Sequence, residues 1–280
     1  MPSPQTLYRL IYLSCLAAIG LLLVNFVGIF VPMRAAEVDG YIDFAKNPNH
    51  PAEVSLAALA SLSSAAGEVS AAEFVTRATR IIHEGIAHIE PDEVVTKGFA
   101  HFSMSVPVFE NWILFALRYI KPDTYRDYEF CSYRRAVERG TGRCGQQALA
   151  VVSYLSNQGF NTGFVSLGGH AIATAEVGPG AWYLLDPDYG GVIPFDIRTA
   201  ERNPEKVVEH YWKPEIVRER NLVANYHPDN GLNLGGVEAR YGRACTIEEM
   251  SYIAKWLIPA VLLLAGLVLW RFAGSQRRVG

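Results

Sequence analysis

Charge is scarce in this sequence, and neither sign leads. Only 19% of the 280 residues are Asp, Glu, Lys or Arg, and the formal net charge is -3. That leaves no basic footprint, so nucleic acid is not expected as a partner. No internal repeat is visible, which argues against a solenoid or propeller. Metal-binding patterns are missing as well. His83 and His88 invite comparison with a zinc-protease helix, but they are five residues apart, and on a helix that turns the two imidazoles about 140° apart. Asp186-x-Asp188-x-Gly190 lacks the remaining ligands of a calcium loop. The sequence therefore implies no metal and no cofactor.

What the chain has in excess is apolar sequence. Half of it is hydrophobic and its mean hydropathy is +0.11, more apolar than an ordinary soluble enzyme. The excess lies at the two ends. The run from Leu10 to Met33 carries no charge, with Asn25 as its one strongly polar residue, and is long enough to cross a bilayer. Ile253 to Phe272 is the second such run, with Trp256 and Trp270 placed as interfacial anchors and Pro259 near its start. A cleaved signal peptide is the rival reading of the first run, but its apolar region is too long and no small-x-small site follows Pro32. Arg271, Arg277 and Arg278 favour a cytoplasmic C-terminus. Arg9 alone stands on the N-terminal side, while Arg34, Lys46 and Lys255 sit on the opposite flanks, so the bias is modest. Both termini are then expected inside and the middle of the chain outside the cytoplasm, in a bacterium the periplasm.

These features divide the chain into an N-terminal transmembrane anchor (1–34), a linker or tether (35–69), an extracytoplasmic domain (70–251), and a C-terminal transmembrane helix with a basic tail (252–280). Within the tether, 52–66 reads as a helix or as flexible small-residue sequence. Ser70 with Glu73 predicts a capped helix running to about His88. Asp92 to Ile120 carries further apolar periodicity, including Phe109, Trp112, Phe115 and Tyr119. Asn203-Pro204 opens a short helix to about Tyr211. Leu222 to Arg243 reads as loop, and Thr246-Ile247-Glu248-Glu249 as a capping box that starts the last helix. Of the four cysteines, Cys15 lies in the first span, Cys131 and Cys245 can pair in an oxidising compartment, and Cys144 is left free.

Cys144 sits in the stretch around which the chain is organised, Gly140-Thr141-Gly142-Arg143-Cys144-Gly145-Gln146-Gln147, a glycine-rich turn entering the apolar segment Ala148 to Leu155. A thiol where a turn becomes a helix lies beside open N–H groups and the positive end of the helix dipole, the setting of a nucleophile. Strands follow at 160–167, 170–177 and 181–186, with Gly168-Gly169 and Gly178-Pro179-Gly180 as turns. If the second hairpin centres near Pro179, Ile172 faces Asp186 and His170 lies on the diagonal. A Cys, a His and an Asp then meet, each from a different element. Asp186-Pro187-Asp188-Tyr189-Gly190-Gly191 is also a turn sequence, in which Asp186 or Asp188 would cap backbone N–H groups.

Gly142-x-Cys144-Gly145 opening a helix, a strand beginning His170-Ala171, and Trp182-x-x-x-Asp186-Pro187 resemble the core of the transglutaminase-like cysteine superfamily over residues 136–194. The resemblance implies an α+β, papain-like core in which a nucleophile helix packs on a small antiparallel sheet. It implies Cys144 as nucleophile, His170 as general base and acid, and Asp186 as the group that orients the imidazole. Ile172 stands where the family usually has an aromatic, and the Cys-to-His interval is short, so the core is pared down. The oxyanion would be met by the backbone N–H of Cys144, with Gln146, Gln147, Tyr133 or Trp112 as the second donor. The expected activity is acyl transfer through a thioester on Cys144, by hydrolysis or transglutamination, on a protein or peptide at the cell envelope. The alternative is a non-catalytic scaffold or accessory subunit of an envelope or polysaccharide-assembly complex, in which Asn25 would serve as a helix–helix contact with membrane-protein partners.

Overall fold

The computed structural model describes residues 4–43, 49–89 and 104–276. Part of the tether (44–48), the first part of the 92–120 segment and the tail arginines Arg277 and Arg278 lie outside these. In chain order the helices are α1 (Pro4–Phe30), α2 (Ala52–Ser64), α3 (Ala71–Gly85), α4 (Trp112–Ile120), α5 (Pro122–Tyr125), α6 (Tyr133–Arg139), α7 (Cys144–Asn157), α8 (Ile197–Arg202), α9 (Pro204–Val207), α10 (Pro214–Glu219) and α11 (Gly236–Gln276). The strands are β1 (Ala87–His88), β2 (Thr141–Gly142), β3 (Thr162–Ser166), β4 (Ala171–Gly178), β5 (Ala181–Asp186), β6 (Gly191–Ile193) and β7 (Gly231–Leu234). The chain forms two compact units: one from residues 1–33, 105–128 and 247–280, the other from 34–104 and 129–246.

The larger unit is α+β. Its five-stranded sheet has the order β6-β5-β4-β3-β7, and every pairing in it is antiparallel. Gly168 and Gly169 take φ of 59° and 116° between β3 and β4, values that a two-residue hairpin turn requires and a side chain resists. The β4–β5 register runs Ala173 with Leu185 through Glu176 with Trp182 and shifts by a bulge before Gly178, so continuing it back places Asp186 beside the start of β4. Helix α7 packs on β3 and β4, and every residue from Gln146 to Leu155 is buried. A helix apolar on all sides belongs in a core, and each fully buried aliphatic side chain on it is worth about 1.5–3 kcal/mol. The thiol at its first position therefore stands on a fixed base. Phe74 of α3 stacks on Tyr154 and Phe160 at 6.0 and 5.4 Å, and the Tyr154 hydroxyl donates to the Leu59 carbonyl of α2 at 2.8 Å. Residues 52–64 thus form a packed helix. On the opposite side of the sheet Val165, Ile172, Leu184 and Ile193 pack with Ile197, Val208, Tyr211 and Tyr226.

Several local readings need revising. β6 lies beyond the last of the three strands that the sequence predicts, and β7 lies inside the predicted loop of 222–243. β7 is an edge strand with all four residues exposed, so it shows no alternation to read. α8 precedes the predicted helix at Pro204 and is capped by Asp196, whose side chain accepts from the Thr199 N–H. α11 begins at Gly236 rather than at Thr246. The Thr246 hydroxyl donates back to the Gly242 carbonyl, as a mid-helix threonine does. The cap at Ser70 is present, with its side chain accepting from the Glu73 N–H. Arg34, read as a flanking charge, is buried: its guanidinium donates to Asp39 Oδ1 at 2.6 Å and to the carbonyls of His50, Gly85 and Val137. Cys131 and Cys245 form a disulfide.

The smaller unit contains two helices long and apolar enough to cross a membrane, over Tyr8–Phe30 and within Tyr241–Arg271. They pack together: Phe26 meets Trp256 edge-on at 6.0 Å, and a Cβ on Gly266 would collide with Cys15 Sγ. Pro259 lies inside α11 and cannot donate to the Lys255 carbonyl four residues back. That carbonyl instead accepts from Asn25 Nδ2 at 2.6 Å and from Trp112 Nε1 at 3.3 Å. A buried carbonyl left unpaired is costly, so Asn25 of the first apolar helix answers Pro259 of the last. Its partner lies within the chain. Asn25→Leu and Pro259→Ala should therefore be non-additive: with the helical N–H restored at 259, the loss of Asn25 should cost about 1 kcal/mol less in a double-mutant cycle. Additive unfolding energies in detergent would show that the two are independent.

Candidate active site

The site lies within the larger unit. Cys144 is the first residue of α7, half-buried, behind an N-cap Arg143 whose side chain makes no capping bond. At the next residue, Gly145, a Cβ would meet the Glu129 carboxylate at Oε1, so the Glu129 side chain lies against the first turn.

His170 immediately precedes β4 and is 7% exposed. Its Nε2–H donates to Asp186 Oδ2 at 2.9 Å. With Nε2 committed, Nδ1 is the nitrogen turned to the thiol side. It lies 3.8 Å from Asp188 Oδ2, and Cys144 Sγ, a His170 ring nitrogen and an Asp188 carboxylate oxygen all fall within 4.8 Å of one another. Asp186, at the end of β5, is fully buried and accepts four bonds. Oδ2 takes His170 and the Tyr211 hydroxyl at 2.8 Å; Oδ1 takes the backbone N–H groups of Asp188 and Tyr189 at 3.1 and 3.2 Å. One oxygen thus caps the turn while the other accepts from the imidazole. Because Tyr211 donates to Asp186, its oxygen accepts from Tyr226 at 3.0 Å. Burial, then the Asp186 charge, push the pKa of both tyrosines well up, so the relay stays protonated.

Burial alone would lower the His170 pKa, but the Asp186 charge and hydrogen bond, a hydrogen bond with Cys144 and the Asp188 charge together hold it well above 6.5. Burial acts against Asp186 ionisation and is likewise outweighed, first by His170, so its pKa lies below 3.8.

The other sequence candidates separate. Gln147 reaches the site: its Nε2–H donates to Asp188 Oδ1 at 2.9 Å. Gln146 is framework. Its amide accepts from the Phe130 N–H and from Arg139, and donates to the Phe130 carbonyl. Tyr133 opens α6, with its ring edge-on to Tyr154 at 5.2 Å. Trp112 belongs to the smaller unit, where its indole N–H goes to Lys255.

Two histidines that the sequence left unassigned hold the Asp186–Asp188 loop. His83 ends α3 and donates from Nδ1 to the Pro187 carbonyl at 2.6 Å. His88 lies in β1, which pairs in parallel with β2 next to Gly142, and donates from Nδ1 to Asp188 Oδ1 at 2.6 Å. Their spacing, wrong for two ligands on one helix, is right for one residue on a helix and one on the strand after it.

Burial lowers the His83 pKa to about 4. Unfolded, it would titrate near 6.5, so as pH falls from 6.5 towards 4 the unfolded state takes up the proton first. Stability should then drop by up to about 3 kcal/mol. His170 acts in the opposite sense: its raised pKa makes a contribution that is complete below 6.5 and is lost as pH rises above it. Stability should peak near pH 6.5. His83→Asn, which retains an N–H donor, should flatten the acid limb alone in chemical unfolding across pH; an unchanged limb would remove His83 as its cause.

No protein-family model and no curated protein matches the chain.

Proposed function

We propose that the protein is a membrane-anchored, extracytoplasmic cysteine acyl-transfer enzyme of the transglutaminase-like kind, with Cys144, His170 and Asp186 as its triad. One observation carries this reading. A thiol at the start of a buried helix faces an imidazole whose far nitrogen is held at 2.9 Å by a fully buried carboxylate.

The chemistry follows from which nitrogen is free. Asp186 fixes the proton on Nε2, so Nδ1 takes the thiol proton and the Cys144 thiolate attacks an acyl carbonyl carbon. The backbone N–H at the start of α7 receives the developing oxyanion in this reading. Nδ1–H then protonates the leaving amine or alcohol, and a thioester remains on Cys144. Water or an amine, giving up its proton to Nδ1, releases the acyl group. Ile172 stands where the transglutaminase-like family usually has an aromatic, which favours hydrolysis over aminolysis. The substrate class is a protein or peptide at the cell envelope.

The test is the rate of Cys144 alkylation by iodoacetamide against pH, in the whole protein and in His170→Ala. A working thiolate–imidazolium pair should give a labelling plateau at low pH that the variant loses. An ordinary thiol in both would remove the nucleophile and favour a scaffold role.

A further inference from the structure

The triad uses one aspartate, yet a second is buried beside the thiol. Asp188 is 1% exposed, and its position is set by others: His88 and Gln147 both donate to Oδ1, which leaves Oδ2 turned to His170 Nδ1 at 3.8 Å. For acyl transfer this carboxylate is a burden. A second negative charge within 4.8 Å of a thiolate repels it, and the single imidazolium between them offsets only one of the two. A divalent cation reverses that cost.

We propose that Cys144 Sγ, His170 Nδ1 and Asp188 Oδ2 form a site for a thiophilic divalent cation of the zinc class, which caps the nucleophile when bound. The donor set is one thiolate, one imidazole and one carboxylate, three ligands with a fourth position open on the half-exposed Cys144 side. Tetrahedral zinc holds a sulfur and a nitrogen about 3.6 Å apart. The three donor atoms lie within 4.8 Å of one another, with His170 Nδ1 and Asp188 Oδ2 3.8 Å apart, so side-chain shifts of about an ångström would bring them to tetrahedral spacing. The outer shell fits as well. His170 donates its other N–H to Asp186, and the Asp188 carboxylate is hydrogen-bonded through its second oxygen, the supports that metal ligands characteristically have. On binding, the metal displaces the thiol proton and any proton on Nδ1, which leave to solvent. No bond to an acyl group is involved. The inference shares Cys144 and His170 with the enzymatic reading but does not depend on turnover.

Cobalt is the probe. Titrating the full-length protein in detergent micelles with Co²⁺ should give one equivalent of thiolate-to-metal charge-transfer absorption, displaced by Zn²⁺ and absent in Cys144→Ser. Asp188→Asn, which keeps the shape but not the anionic oxygen, should weaken Co²⁺ binding by at least tenfold. Zn²⁺ should slow iodoacetamide labelling of Cys144 by tenfold or more relative to the same sample with chelator. X-ray absorption of the zinc-loaded wild type should show one sulfur at about 2.3 Å and nitrogen or oxygen at about 2.0 Å, a readout that needs no variant. A sulfur-free shell, no charge-transfer band, or equal affinity in Asp188→Asn would overturn the site. A band together with an ordinary thiol in chelator would keep the metal site and remove the enzyme. A low-pH labelling plateau without a band would do the reverse.

Discussion

Replacing Asp186 by Asn should lower the rate at which Cys144 is acylated by p-nitrophenyl acetate at pH 7 by about three orders of magnitude. Loss of the orienting carboxylate in other triads costs about that much or more. The reason lies in the four bonds that Asp186 accepts. An Asn side chain has one oxygen and two donors. If the oxygen stays with the backbone N–H groups of Asp188 and Tyr189, the amide nitrogen faces His170 Nε2 and the Tyr211 hydroxyl. The imidazole then carries its proton on Nδ1, the nitrogen that must receive the thiol proton. The alternative rotamer keeps the His170 tautomer but opens the turn that carries Asp188. Either way the pair is lost. Tyr211→Phe is the control: it removes one donor to Asp186 and leaves the tautomer intact, so its rate should fall less than tenfold while Asp186 becomes easier to protonate. Near wild-type acylation in Asp186→Asn, with folding checked by near-ultraviolet circular dichroism, would show that His170 needs no carboxylate.

How much of this was legible in the sequence depends on the range of the interactions involved. The nucleophile turn, α7 and the β3–β5 meander were readable because each is specified locally, by glycines at turns, a run of helix formers and a short hairpin whose register follows from its turn. The β4–β5 register, which follows from the turn at Pro179, brings Asp186 towards His170. Strands buried on both faces, such as β4 from Ile172 to Ala175, show little alternation, yet the flanking glycines delimited them. What stayed hidden is non-local. β6 is three residues long. β7 and β3 are some seventy residues apart in the chain, and nothing near β7 announces its partner. Asp188 looked like a turn residue because its neighbours are turn residues. Its ties to His88 and Gln147, 100 and 41 residues away, exist only once α3, β1 and α7 are packed together. Gln146 shows the converse. Two residues after the nucleophile it looked catalytic, yet its helix face points to Phe130 and Arg139 rather than to the thiol.

Removing the Cys131–Cys245 disulfide should produce the largest loss of stability of any surface-neutral change, and it should reach the site. The bridge closes a loop with a sequence separation of 114, for which chain-entropy arguments give about 5 kcal/mol, with losses of about 2–5 kcal/mol typical for native bridges. For a chain of this size that corresponds to a fall in Tm of about 4–20 °C. The path to the site is short. Phe130, next to Cys131, is held at both its N–H and its carbonyl by Gln146 in the first turn of α7. Glu129, one residue further back, is held by the Tyr241 hydroxyl of α11 at 2.6 Å and lies against Gly145. The segment 129–131 is therefore pinned between the start of the nucleophile helix and the start of α11, with the disulfide as the covalent member of that clamp. Cys131→Ser with Cys245→Ser should lower Tm and, at temperatures where the protein remains folded, slow Cys144 alkylation at pH 6–7, since a looser 129–131 segment lets the first turn of α7 fray. Dithiothreitol should reproduce both effects in the wild type and neither in the double variant. A Tm within about 3 °C of wild type would show that noncovalent contacts suffice. A lowered Tm with unchanged alkylation would confine the bridge to stability and separate the clamp from the nucleophile.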